Sequence, residues 1–162
     1  MIPAASQSPI WLNIGKAQAK LNQPEAVGSF KKAIELAPAD KPANLKAYKD
    51  AFAQYYVEAK KYDEAIALFV DSKSASQEQD LLALAKSAKD KQLIKVALER
   101  ALTINPENID ACLSLGEQYY FDKDNDRRAK ELLTKYAEKG KDPTKLESVK
   151  GMLVMINRRN KW

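Results

Sequence analysis

Residues Trp11 to Pro38 read WLNIGKAQAKLNQPEAVGSFKKAIELAP, and their punctuation decides the fold. Trp11, Ile14, Gly15 and Gln18 fall at helical spacing, and so do Ala26, Phe30 and Ala33 further on. Asn22-Gln23-Pro24 separates the two runs, and Pro38 stops the second. The pattern predicts two helices that cross at short range. Gly15 and Ala26 are the small residues that permit the approach, while Trp11, Ile14 and Phe30 fill the layer around them. Ala33 leaves room for a following pair to dock.

The pattern recurs. Ala65 and Phe69 repeat the spacing of Ala26 and Phe30, and Ala129 and Leu133 follow later. Cys112, Leu115, Gly116 and Tyr119 match Trp11, Ile14, Gly15 and Gln18 position for position. The small residue that opens each second helix stands at Ala26, Ala65 and Ala129, with Ile94 as a departure in the third unit. These positions are spaced about 34 residues apart on average. The chain therefore resembles the tetratricopeptide repeat (TPR) family, whose unit is a helix–turn–helix of that length. The resemblance covers about residues 8–143.

The fold that this implies is all-α: a right-handed α-solenoid of TPR-like helix–turn–helix pairs with a C-terminal capping helix. Residues 1–7 are an N-terminal tail, and the four repeats occupy about 8–40, 42–75, 76–107 and 108–143. Ser8-Pro9 reads as an N-cap and first helical residue, Ser76 to Gln79 as a capping box, and Gly140 as a C′ residue. The second helix of the second pair opens at Tyr62-Asp63-Glu64-Ala65 and lacks a Pro-closed end after Ser72. The rings of Phe52, Tyr55, Tyr56, Tyr62 and Phe69 form a core stack. Residues 144–162 are the capping helix and a basic tail. Thr144-x-x-Glu147 is its capping box, and Leu146, Val149, Leu153 and Ile156 form a face that covers Leu132 and Leu133.

Composition sets the limits. The chain has 162 residues, a length that suits one domain, and is 45% hydrophobic and 30% charged, as a folded globular protein is. Apolar runs such as Met152 to Ile156 are too short to cross a membrane. The start, MIPAASQSP, has no charged segment followed by an apolar one. The compartment stays open between the cytoplasm and, had a signal been removed, the periplasm. Net charge is +5, and most of it lies after residue 143, where Lys145, Lys150, Arg158, Arg159 and Lys161 face Glu147 alone.

Catalytic chemistry is not expected. The chain has no histidine, the commonest general base and metal ligand, and its one cysteine, Cys112, is placed on an inward helix face. Asp122-Lys-Asp-Asn-Asp126 spaces carboxylates like a calcium loop but lacks the glycine and distal glutamate in register, so a solvated turn is expected. No metal and no cofactor are expected.

The resemblance implies a concave groove lined by the first helices of the pairs, to which a protein or peptide partner binds. Its positions here are Leu12, Asn13, Lys16 and Lys20; Asp50, Gln54 and Glu58; Lys86; and Leu113, Glu117, Tyr120 and Phe121. One TPR class clamps the C-terminal carboxylate of chaperone peptides. At its positions this chain has Leu12, Lys16, Ala51, Ser76 and Asp80, with one cation and one charge of the wrong sign, so that clamp is not expected. The alternative is an adaptor that binds nucleic acid or an anionic membrane surface through Arg158, Arg159 and Lys161.

Overall fold

The structure, a computed structural model, describes residues 3–160. Among these residues there are nine α-helices and no strand. They are α1 (Ala4–Lys20), α2 (Ala26–Glu35), α3 (Pro42–Glu58), α4 (Tyr62–Ala67), α5 (Gln77–Ser87), α6 (Lys91–Ile104), α7 (Ile109–Asp122), α8 (Asp126–Lys139) and α9 (Pro143–Asn160). The chain divides into two compact units, Met1–Asp71 and Ser72–Trp162. Within each unit every helix packs against the next in sequence.

In the first unit α1 lies close on α2 because Gly15 has no side chain. A Cβ at Gly15 would stand 3.1 Å from the Phe30 ring. Ala26, Phe30 and Ala33 are fully buried, as their spacing predicts. Ile14 is not part of that layer: it is 37% exposed, and Trp11 packs half-buried with the Lys32 ammonium over its ring at 4.2 Å. The helix starts at Ala4, before the Ser8-Pro9 signal. Ser8 lies inside it, fully buried, with its hydroxyl 3.2 Å from that of Tyr48 on α3. A tertiary hydrogen bond has taken the serine that local reading assigned to a cap.

The aromatic stack is built differently from its sequence spacing. Phe30 stacks on Phe52 at 5.1 Å, Phe52 on Tyr56 at 4.5 Å, and Tyr55 tilts against all three. Tyr62 and Phe69 stand half-buried at the two ends of α4, outside this stack. Helix α4 ends at Ala67, well short of Ser72, so Phe69 leaves the helix before its turn comes round. Ala65 is fully buried at the contact with α3.

In the second unit the helices open on side-chain caps. Asp90 accepts from the Leu93 amide, Asn108 from Ala111, Asn125 from Arg128, and Asp142 from Thr144 and Lys145. Asp142 thus takes the role read for Thr144, because Pro143 supplies the first helical residue. At Ser76 the capping box does not close, and the hydroxyl donates instead to the Asp80 carboxylate at 3.1 Å. Gly116 repeats the role of Gly15, since a Cβ there would meet Leu133 at 2.9 Å. Gly140 is not left-handed: φ is −66°, and what excludes a Cβ is the Tyr136 ring and carbonyl at 2.7 Å.

The turns also recur. Asn22, Lys60 and Lys123 take φ of 54°, 58° and 55° just after α1, α3 and α7. At the first two the chain closes with a hydrogen bond back across six residues, Gln23 N to Gln18 O and Lys61 N to Tyr56 O. The end of α5 breaks the series, with Ala88 extended. This is the unit whose sequence departs at Ile94, and Ile94 is half-buried while Ala97 and Ala101 are the small buried residues of α6.

Helix α9 covers the end of the second unit. Val149, Met152 and Ile156 are buried against Leu113, Ala129, Leu133 and Tyr136, with Leu146 and Leu153 at the edge. Leu132 is outside this cluster, and Met152 adds to the face that the sequence suggests.

Two small-to-larger changes test these contacts. Ala65→Leu is expected to cost roughly 1–3 kcal/mol by overpacking. Gly116→Ala should lower the melting temperature. Gly151→Ala, where nothing lies within 4 Å of the added carbon, should raise stability by about 0.5–1 kcal/mol through helix propensity. Thermal unfolding followed by circular dichroism reads all three.

Candidate functional site

Four of the predicted groove residues come together. Lys16 and Lys20 on α1 and Gln54 and Glu58 on α3 line a cleft of about 260 Å³ in the first unit, with Ala19, Ala51, Phe30 and Tyr55 between them. Phe30 and Tyr55 belong to the aromatic stack, so the floor of the cleft is held by the core itself. Gln54 donates to Glu58 at 3.0 Å, which fixes that wall. Among the described residues neither lysine is in an ion pair. The cleft therefore has a cationic wall, an anionic wall and an apolar floor.

The other predicted positions of this unit are elsewhere. Leu12 is half-buried against the Phe30–Phe52 core, and Asn13 is exposed. Asp50 is paired with Lys46 one turn earlier, at 2.7 Å, and does not line the cleft.

The second unit has its own cleft of about 340 Å³ between α5, α6 and α7. Lys86, one of the predicted groove positions, lines it. One wall is Asp110, Ser114 and Gln118, at intervals of four on α7, and the floor is Leu82, Ile94 and Leu98. The i, i+4, i+8 spacing of three polar residues was the available signal for this wall, and the predicted set leaves it out. The departure at Ile94 has an outcome here, because the larger side chain lines the cleft.

The predicted groove residues of α7 are mostly covered by α9. Leu113 is buried under Val149 and Met152. Glu117 is half-buried; burial pushes its carboxyl up, and the Lys145 charge only partly opposes this. Tyr120 is half-buried, with the Arg159 guanidinium 4.9 Å above its ring. Phe121 is 68% exposed and meets Tyr120 edge-on at 5.1 Å. The face of α7 that carries Leu113 and Tyr120 is thus packed by the chain's own last helix.

The Asp122–Asp126 segment is a clamp, not a solvated turn. Lys95 on α6 is nearly fully buried, and its ammonium reaches Asp122 at 2.8 Å and also Asp124. Burial alone would lower the lysine, but the hydrogen bonds it donates to Asp122 and Asp124 outweigh it and its shift is upward. Lys91 adds a second contact to Asp122 at 2.8 Å. Asp126 accepts from Arg159 Nε at 2.6 Å and from Asn160. The carboxylates are thus spent on cations of the chain, and no group of three metal-ligating residues exists among the described residues.

A second network joins three helices of this unit. Arg128 on α8 grips Glu99 on α6 through Nε and Nη2 at 3.0 and 2.6 Å, and the Tyr119 hydroxyl of α7 donates to the same carboxylate at 3.1 Å. Burial first, and the Glu99 carboxylate next, push the Tyr119 phenol up to about 12. Cys112 is buried, and burial pushes its thiol up, away from the reactive thiolate. Of the basic tail, Arg159 is held by Asp126, Arg158 is exposed, and Lys161 lies outside the described residues.

Compared with protein-family models, curated proteins and solved structures, the chain matches none. No helix among the described residues is long and apolar enough to cross a membrane.

The contact between Arg159 and Asp126 makes a pH prediction. Hydrogen bonding to Arg159 holds the Asp126 carboxyl below its ordinary value. A depressed carboxyl stabilises the fold above its unfolded pKa, and that stability goes as pH falls through the lower, native pKa. Helix α9 is expected to loosen in acid below the usual carboxylate range. Asp126→Asn should bring the looser state to neutral pH and flatten its pH dependence, as read by hydrogen exchange of the α9 amides.

Proposed function

We propose that the chain is a non-catalytic protein–protein interaction scaffold, built of TPR-like helical pairs in a right-handed solenoid and closed by α9 as its capping helix. The single observation that carries the binding role is the first unit's cleft. Lys16, Lys20, Gln54 and Glu58 converge on an aromatic floor, although they lie on helices separated by a third. At about 260 Å³ the cleft is smaller than the roughly 300–1,000 Å³ of small-molecule sites, and it suits one anchoring side chain of a peptide or helix. The repeat reading is supported by the paired close approaches at Gly15 and Gly116 and by the left-handed residues after α1, α3 and α7.

The adaptor reading has less support. Of its three cations, Arg159 already has a carboxylate partner in Asp126.

Selection of a displayed random-peptide library on the whole chain tests the scaffold. Selected peptides should lose about tenfold or more in affinity for Tyr55→Ala or for the charge reversal Lys16→Glu, which leave the helical spectrum unchanged. Tyr120→Ala should instead lower the melting temperature and leave peptide binding intact. Failure of the library to give any binder displaced by the cleft variants would refute this function.

A further inference from the structure

A second cleft in the first unit opens on a different face of α3. Where Ala51, Gln54, Tyr55 and Glu58 line the cleft above, Phe52 and Tyr56 line this one, together with Ile34 of α2 and Leu68 at the end of α4. Its volume is about 360 Å³. It lies beside the short helix α4, whose last residue Ala67 and C-cap Leu68 both line it. The Phe52 ring is fully buried, stacked on Phe30 at 5.1 Å and on Tyr56 at 4.5 Å, so the ring that the cleft offers is the half-buried Tyr56, backed rigidly by Phe52.

The lining also includes Glu35, Glu64 and Lys31, and among the described residues none of the three is in an ion pair. Both glutamates are exposed. Glu64 is close enough for its charge to act on the Tyr56 phenol, which burial and then Glu64 push up. An apolar slot with an aromatic wall and two free carboxylates at its mouth is complementary to a cation on an apolar stem.

We propose that this cleft binds an arginine side chain presented by a partner protein. Arginine fits better than lysine on three counts. Its flat guanidinium stacks on a ring, its donor fork matches a carboxylate, and it gives up water more readily than an ammonium does. The methylene stem would lie along Ile34 and Leu68. This site is separate from the Lys16–Glu58 cleft and does not depend on the function proposed for that one.

The test is a titration of the whole, isotope-labelled chain with three capped peptides, Leu-Arg-Leu, Leu-Lys-Leu and Leu-citrulline-Leu, followed by amide chemical shifts. Citrulline keeps the shape of arginine without its charge. The arginine peptide is expected to shift Ile34, Glu35, Glu64 and Leu68 in a saturable way, and to bind at least about fivefold tighter than the lysine peptide. The citrulline peptide should leave these amides in place. Glu35→Gln with Glu64→Gln should weaken the arginine peptide about tenfold while the remaining spectrum is unchanged. Equal binding of arginine and citrulline peptides would overturn the proposal, since the slot would then read only apolar surface. Equal binding of lysine, shifts confined to other residues, or no shifts at millimolar peptide would overturn it as well.

Discussion

Two α-helices can approach to backbone distance only where a side chain is missing, and that constraint organises each unit. At Gly15 the missing carbon is what lets the Phe30 ring sit against α1. At Gly116 it lets Leu133 and Leu132 do the same against α7. In both places a large buried residue of the second helix takes the space, so the approach and the core are one interaction. Ala26, Ala65 and Ala129, all fully buried, extend the same economy to the second helices. Phe30 then passes the constraint outward, because the ring wedged under Gly15 also stacks on Phe52 and forms the floor of a cleft.

The two units solve the problem of helix ends differently. The first has no side-chain cap on any helix and holds its ends with prolines and backbone turns. The second uses Asp90, Asn108, Asn125 and Asp142. It also carries the charge networks, Lys95 with Asp122 and Asp124, Arg128 with Glu99, and Arg159 with Asp126. Lys95 explains why the acidic turn is there. A nearly buried ammonium is costly without counter-charges, and the turn brings two of them within contact.

Both clefts of the first unit follow from this build. α3 contributes different residues to each, and the aromatic stack in its middle stiffens both. In the second unit α9 takes the face of α7 that would otherwise be open, and the remaining cleft lies on the α5 side. Which surfaces of the second unit stay open is thus set in part by α9, whose Val149, Met152 and Ile156 close one face.

Sequence alone determined the helical class, the hairpin break at Asn22-Gln23-Pro24, the small residues at the crossings and the apolar stripe of α9. These depend on spacing within a single helix, where a period of 3.6 residues states which side chains share a face. It also placed Lys16, Lys20, Gln54 and Glu58 on faces that meet. Tertiary structure decided what covers each face. Leu113 and Phe121 were read as equivalent groove residues, yet one is buried under α9 and the other is bare. The polar residues were least legible: Ser8, Lys95, Asp122, Asp126 and Arg159 find partners some 30 to 40 residues away. A local pattern fixes the direction in which a charged side chain leaves its helix, but its partner is chosen by whichever helix folds back within reach.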